Sequence, residues 1–175
     1  MPVGEKKVGL PELFYDLVFV YALFRTTELV HHADEADYVT FLISLVILFT
    51  VWLYQSIYIN RFGDNSWRDR LFLFADMFFL LFLSNAVGSD WLANFVPFNL
   101  ALGLLVGSVC LQYLLQLARH ASPEQRRRIK LVAGLRGLTA ATVLGSLLFP
   151  AHIGQWVALG GFGLGWILPT FVSHK

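Results

Sequence analysis

The sequence predicts an all-α polytopic membrane protein with six transmembrane helices and both termini in the cytoplasm. Three observations support this fold class: the composition, six long apolar runs, and basic residues confined to alternate connections. Of the 175 residues, 57% are hydrophobic and only 14% are charged, and the mean hydropathy is +0.62. A soluble domain of this size could not bury so much apolar surface. We therefore expect one six-helix transmembrane domain over residues 1–175 and no water-soluble enzyme.

Each predicted span is an apolar run long enough to cross a bilayer, which takes about 20 residues. Two prolines fit the proposed boundaries, because Pro11 falls in the first turn of the first helix and Pro150 follows the end of the fifth. The runs are Pro11–Val30, Tyr38–Ile59, Asp69–Gly88, Leu92–Leu117, Ile129–Phe149 and Ile153–Val172.

The basic residues predict the orientation of the chain in the membrane. Eleven of the 13 Lys and Arg residues fall in the two terminal segments and in the second and fourth connections, which lie on one side. The other two, Arg25 and Arg136, lie inside predicted helices. Cytoplasmic segments of membrane proteins carry an excess of Lys and Arg. The pattern therefore predicts that both termini are cytoplasmic.

Charged residues inside the predicted spans are the candidates for a functional site, because a charge within a bilayer is costly. Counting about 1.5 Å per residue from the cytoplasmic side places Asp16, Asp76 and Arg136 at similar depth, roughly 7–10 Å in. We expect these three side chains, with Glu12 one turn nearer the surface, to form a buried polar network. Arg136 should then lie within hydrogen-bonding reach of Asp16 or Asp76. The network either belongs to a conduction or binding site or is an ion pair that only fixes helix packing.

Other polar side chains reach the same level of the bundle. The second and fourth spans run in the opposite direction, so their polar residues near the cytoplasmic end come to this depth. These residues are Gln55, Tyr58, Asn60, Gln112 and Gln116.

The first connection is acidic and is predicted to lie outside the cell. It carries Asp34, Glu35 and Asp37, which could raise the local cation concentration at an outer mouth. The neighbouring His31 and His32 are metal-ligand types without a recognised ligand spacing, so no metal site is predicted. No catalytic group and no cofactor site is predicted elsewhere in the chain.

Small residues recur at helical spacing in the last three spans. Gly103 and Gly107 form one Gly-x-x-x-Gly pair, and Gly161 and Gly165 form another. Such faces let membrane helices approach closely. We expect faces of this kind to pack against another copy of the chain, giving a homo-oligomer between a dimer and a tetramer.

Two segments carry a resemblance to a known family. Residues Glu12–Val20 read Glu-Leu-Phe-Tyr-Asp-Leu-Val-Phe-Val and resemble the opening signature of the low temperature requirement A (LtrA) family of bacterial membrane proteins. The segment from Trp52 to Asp76 also resembles that family. The resemblance covers residues 10 to 90 by motif and the rest by hydropathy, and the chain looks like a half-length member or a fragment of a longer one. It implies a multi-pass protein of the bacterial inner membrane.

A weaker similarity links the first helix to a family of six-helix potassium channels. Phe14, Tyr15 and Asp16 stand where those channels have Phe-Ser-Asp, although Leu10 replaces the arginine of their motif. This similarity implies a homo-oligomeric channel with the first helix near the pathway and a monovalent cation as the transported species.

The leading functional hypothesis is therefore a homo-oligomeric channel or transporter-like protein of the lipid bilayer, with a cation favoured. The alternative is a non-conducting membrane protein that binds a lipid or a hydrophobic cofactor, or that scaffolds a membrane complex. The net charge of +1 argues against nucleic-acid binding, and the single cysteine, Cys110, excludes an intrachain disulfide. An enzymatic role is disfavoured because no convergent catalytic set is visible.

Overall fold

In the part of the chain that the structure describes, six α-helices form one bundle. The computed structural model describes residues 9–32, 35–64, 66–88, 90–119 and 122–172, and of residues 32, 35, 36 and 166–172 it describes the backbone alone. Short 3₁₀ turns follow the first and fifth helices, at Glu28–His32 and Ser146–Leu148. The helices are α1 Leu10–Thr27, α2 Glu35–Phe62, α3 Trp67–Asn85, α4 Phe95–Leu117, α5 Pro123–Gly145 and α6 Ala151–Val172.

The helix boundaries follow from local sequence signals. Pro11 lies in the first turn of α1 and Pro123 in the first turn of α5, where a missing N–H is tolerated. Ser66 caps α3, since its hydroxyl accepts a hydrogen bond of 3.3 Å from the Asp69 amide. Helix α5 begins six residues before the predicted span, so Arg126, Arg127 and Arg128 belong to its first two turns rather than to a loop.

Helix α4 is the centre of the bundle, and it packs against α2, α3, α5 and α6. Helix α1 packs mainly on α3 and also touches α2. The apolar core is continuous across these contacts, and it includes Leu48, Leu80, Leu105 and Val109, each almost fully buried. The space between α2, α3 and α4 also encloses polar side chains, which form the candidate site below.

Close packing of the last three helices uses the small residues noted in the sequence. A Cβ at Gly161 would meet Thr142 of α5, and a Cβ at Gly165 would meet Thr139 one turn earlier. Gly103 of α4 lies similarly against Leu144 of α5. The expectation that these faces pack against a second copy is therefore wrong, because partners within the same chain already cover them.

Three of the described helices are long and apolar enough to cross a membrane: Asp37–Phe62, Phe95–Leu117 and Pro123–Leu148. Helix α1 carries Glu12, Asp16 and Arg25, and α3 begins with three charged residues, so both are less apolar by composition. Large apolar side chains cover the outer surface of α1 and α3, among them Leu13, Leu17, Phe74 and Phe78. Such a surface is suited to lipid rather than to water.

Several connections come together at one end of the bundle, which we call the basic end. Arg119, after α4, forms a 2.8 Å ion pair with Asp64, between α2 and α3. Arg61 at the end of α2 and Arg128 near the start of α5 line one cavity. The second and fourth connections, predicted to lie on the same side, therefore meet in the structure.

The predicted outer acidic loop has a different structure. Helix α2 already begins at Glu35, so Glu35 and Asp37 lie in its first turn and not in a connecting loop. The helix extends further because Ala36 and the residues that follow continue its regular pattern without a Gly or Pro. Asp34 lies outside the described residues, as does the side chain of Glu35.

Candidate functional site

The most deeply buried charged group in the described structure is the carboxyl group of Asp76, in the middle of α3. Its side chain is 0% exposed, and its Oδ2 atom accepts a hydrogen bond of 3.0 Å from Gln112 Nε2 on α4. Gln112 is also paired with Gln55 of α2, whose Nε2 donates to Gln112 Oε1 at 3.2 Å. Three helices thus contribute one carboxylate and two amides to a single cluster, the Asp76 cluster.

The second carboxylate oxygen of Asp76 has no hydrogen-bond partner. Its Oδ1 atom is buried and unpaired within the described structure. The hydroxyl of Tyr15 on α1 is likewise buried without a hydrogen-bond partner there. The two groups are close enough to interact electrostatically. A buried carboxylate whose donors are all neutral, and which keeps one oxygen unpaired, is unfavourable unless a proton or a cation neutralises it.

A second layer of polar groups lies next to the Asp76 cluster, toward the basic end. The Tyr58 hydroxyl of α2 accepts a 3.0 Å hydrogen bond from Gln116 Nε2 of α4, and Tyr58 also contacts the backbone carbonyl of Gln112 at 3.5 Å. Gln116 is 2% exposed. Hydrogen-bonded side chains therefore continue from Gln112 along α2 and α4.

The charged residues at the basic end form a third layer. The backbone amide of Asp64 donates to Asp69 Oδ2 at 3.0 Å, and its carboxylate binds Arg119. Hydrogen bonds with Asp69, with Ser66 and from Arg119 hold the pKa of the Asp64 carboxyl group well below its usual range. Arg119 thus holds the Asp64 carboxylate, and the Asp64 backbone amide in turn holds that of Asp69.

A narrow cavity joins the third layer to the Asp76 cluster. Its lining includes Glu12, Tyr58 and Asp69, and it reaches Gln55 and Gln112. The cavity volume is about 10 Å³, which is roughly enough for one water molecule. The cavity therefore holds no more than about one water molecule, and polar side chains line it on several helices.

The predicted contact of Arg136 with Asp16 or Asp76 is wrong. Asp16 instead accepts a hydrogen bond of 2.9 Å from Trp52 Nε1. Arg136 lies over the ring of Tyr54, with 3.2 Å between the guanidinium carbon and the ring centroid, and donates to the Gly165 carbonyl at 3.4 Å. Depth alone did not determine the pairing, because the three side chains project in different directions from their helices.

The motif in α1 is divided between two faces of the helix. Tyr15 is 1% exposed and faces the core, whereas Phe14 and Asp16 on either side of it are exposed. Successive helical residues are about 100° apart, so neighbours cannot share a face. Of the predicted acidic residues in α1, Glu12 therefore reaches the polar cavity and Asp16 does not line it.

Sequence reasoning placed Gln55, Tyr58, Gln112 and Gln116 at the right level, and these residues form the observed hydrogen bonds. Asn60, assigned to the same level, is exposed. The role of Trp52 was missed, because a tryptophan near a span end is typical of the membrane interface. Nothing in the sequence around Trp52 indicates that its indole N–H bonds to a carboxylate of another helix.

Near the other end of α1, Arg25 and Glu28 form an exposed ion pair of 2.5 Å. Among the residues that the structure describes, no three His, Cys, Asp or Glu side chains converge as a metal site would require.

Comparison with known families gives one match. The sequence model of the family described as bacterial low temperature requirement A protein (LtrA) matches residues 7–175. The match extends well beyond residues 10–90, where the motifs were recognised. No curated protein and no solved structure matches the chain. The weaker similarity to potassium channels has no support from these comparisons.

Proposed function

Because this chain belongs to the bacterial low temperature requirement A (LtrA) family, we propose that it is a multi-pass inner-membrane protein that acts as a cation channel or transporter. In this proposal the ion passes through the polar interior of the bundle, and Asp76 is the group that binds it. The observation that carries the proposal is the unpaired, fully buried Oδ1 atom of Asp76.

The chemistry of the Asp76 cluster favours a cation. A carboxylate oxygen, a tyrosine hydroxyl and two amide side chains can supply several oxygen ligands, and the described cluster contains no Lys or Arg. Arg136 is directed elsewhere, onto Tyr54. The negative charge of Asp76 is therefore available to neutralise an incoming ion rather than being matched by a resident cation.

The cluster fits a monovalent ion or a proton better than a divalent ion. Asp76 is its single carboxylate, and the other polar groups around it are neutral. Divalent cations such as Ca²⁺ are usually held by several carboxylates with additional oxygen ligands. One carboxylate balances one positive charge, so a site that holds a monovalent cation is electrically neutral, as burial in the bundle requires.

The polar layers offer a route between the Asp76 cluster and the basic end. Glu12 and Asp69 bring two acidic groups to the lining of the cavity, against the one basic group of Arg70, so the lining carries an excess of acid that favours a cation. Gln112 lines the same cavity, beside Tyr58, which is hydrogen-bonded to Gln116. Opening of this narrow cavity would require α2 to move relative to α4, because the Tyr58–Gln116 and Gln55–Gln112 hydrogen bonds join those two helices.

We further propose that the protein is a homo-oligomer, with the outer face of α1 as the contact. Leu17, Val20 and Phe24 are exposed on this face, and the Asp16 carboxylate beside them is exposed as well. A carboxylate that faces lipid costs about 2.5–3.5 kcal/mol on insertion scales. Contact with a second copy would remove it from lipid.

Ion flux in liposomes tests the transport proposal. We expect purified protein to dissipate a gradient of H⁺, Na⁺ or K⁺, and Asp76→Asn to reduce the flux per molecule at least tenfold. Asp90→Asn is the matched control, because Asp90 is exposed and far along the chain from the cluster. The proposal is refuted if wild-type protein gives no flux of any of the three ions above protein-free liposomes. Unchanged flux in a folded Asp76→Asn variant would also refute the role of Asp76 and leave it a packing residue.

A further inference from the structure

A groove at the basic end lies apart from the Asp76 cluster, between the end of α2, α4 and the start of α5. Its volume is about 150 Å³. Arg61 and Arg128 line it, together with the polar side chains of Tyr113 and Gln125. The groove is thus built from three helices, α2, α4 and α5.

The polar side chains of the groove are all hydrogen-bond donors or can act as donors, and no carboxylate lines it. Arg61 and Arg128 bring two positive charges, and Gln125 adds an amide. Tyr113 is 5% exposed, and its hydroxyl is a further group that can donate a hydrogen bond. Two guanidinium groups with additional neutral donors are a typical environment for a phosphate, which arginine can bind in bidentate fashion.

The rest of the groove is apolar. Phe62, Ile129 and Val132 form its floor, and Phe62 is also the last residue of an apolar helix that is long enough to span a membrane. The groove therefore lies where a membrane span ends, with cationic groups above an apolar surface. A free anion would use only the upper part of such a site, whereas a phospholipid would use both parts.

We propose that this groove binds the phosphate headgroup of an anionic phospholipid, with the first part of an acyl chain on the apolar floor. Charge complementarity selects an anionic lipid, because two arginines face the ligand and no acid faces it. Basic pockets between helices near a membrane surface recognise such headgroups. The site is independent of the transport proposal and does not include any residue of the Asp76 cluster.

Glu124 limits the affinity of the groove. Its Oε1 atom lies 3.0 Å from Arg128 Nη2, so it competes with a bound phosphate for that guanidinium group. The pair is exposed, and each partner can be changed without exposing the core. Arg127 provides a matched control, because it is the adjacent residue of α5 with the same charge, but it lines a different cavity together with Arg126 and Lys130.

Native mass spectrometry of the full chain in non-ionic detergent tests the proposal, with phosphatidylglycerol and phosphatidylcholine as probes. We expect phosphatidylglycerol to bind at least tenfold more tightly, since each basic residue near the headgroup contributes about 1 kcal/mol. The double variant Arg61→Gln/Arg128→Gln should reduce this preference to within about twofold. Arg127→Gln should retain it, and Glu124→Gln should increase it.

Equal binding of the two lipids by wild-type protein would overturn the proposal. An equal loss of preference in Arg127→Gln and in the double variant would also overturn it, since it would show a diffuse surface charge. Competition with inorganic phosphate provides a further test. Displacement of phosphatidylglycerol by millimolar phosphate would assign the groove to a free anion and refute the lipid. If the double variant does not fold, the gain expected for Glu124→Gln still decides the question.

Discussion

Asp76 of α3 and Gln112 of α4 are joined by a 3.0 Å hydrogen bond in the fully buried centre of the bundle. The Gln112 side-chain amide is the closest hydrogen-bond donor to the carboxylate in the described structure. The same amide also donates to the side-chain oxygen of Gln55 on α2. One side chain therefore couples the carboxylate to two neighbouring helices. The proposed function depends on this connection, because any movement of α2 relative to α4 changes the environment of Asp76.

The first prediction concerns the energetic coupling of this pair. Gln112→Leu leaves the buried carboxyl group without its amide donor, so it should lower the free energy of unfolding by about 1–3 kcal/mol. Unfolding in mixed micelles by titration with sodium dodecyl sulfate measures this change. Gln155→Leu on α6 is a control and should change stability by less than about 0.5 kcal/mol. If Gln112→Leu lowers the free energy of unfolding by the same amount in an Asp76→Leu background as in wild type, the two residues are not coupled.

The second prediction concerns the pH dependence of stability. The pKa of Asp64 is lowered in the folded protein. Its ionised carboxylate therefore stabilises the fold above the unfolded pKa of about 3.9, and this stabilisation is lost as the pH falls toward the folded pKa. The difference in Tm between wild type and Asp64→Asn should therefore be constant from about pH 5 to pH 7 and shrink below about pH 4. A thermal scan at each pH measures it. A difference that grows on acidification would contradict the assigned direction.

The third prediction concerns helix packing at the small residues. Gly161→Ala places a methyl group against Thr142 of α5, and the resulting overpacking should cost about 1–3 kcal/mol. Gly163→Ala on the same helix is the control, because a Cβ there meets nothing within 4 Å. Thermal unfolding in detergent compares the two variants. Equal stability of both variants would show that α5 and α6 are not closely packed at Gly161.

The hydropathy of the sequence was sufficient to predict six helices, and the structure has six. It was also sufficient to predict which connections meet at one end, since the ion pair between Asp64 and Arg119 joins two of them. These features depend on position along a helix axis, which residue counting gives directly at about 1.5 Å per residue. Six membrane spans and cytoplasmic termini remain predictions.

The pairing of the buried charges could not be predicted in the same way. Contacts depend on the direction in which a side chain leaves its helix, and this direction is set by how the helices rotate against one another. Tyr15 occupies the buried face of α1, so the adjacent Asp16 turns toward Trp52 of α2. Arg136 similarly meets the aromatic ring of Tyr54 rather than a carboxylate. Periodicity does not specify either rotation, because α1 has apolar residues on several faces.

The fourth prediction concerns self-association through α1. In a Cys110→Ser background, Leu17→Cys should form disulfide-linked dimers in membranes on mild oxidation, because Leu17 lies on the exposed face of α1. Ala22→Cys is the control, since Ala22 is fully buried within one chain. Electrophoresis without reductant measures the linked fraction. A monomer for Leu17→Cys at every lipid-to-protein ratio would contradict contact through this face.

Infrared difference spectroscopy of the carboxyl C=O stretch tests the central claim, that Asp76 binds the transported cation, most directly. Reconstituted wild-type protein should show a protonated carboxyl band that decreases when the pH is raised or when Na⁺ or K⁺ is added. The same band should be missing in Asp76→Asn and present in Asp90→Asn. A spectrum in which no carboxyl band responds to pH or to either cation, or in which the responding band persists in Asp76→Asn, would contradict the account.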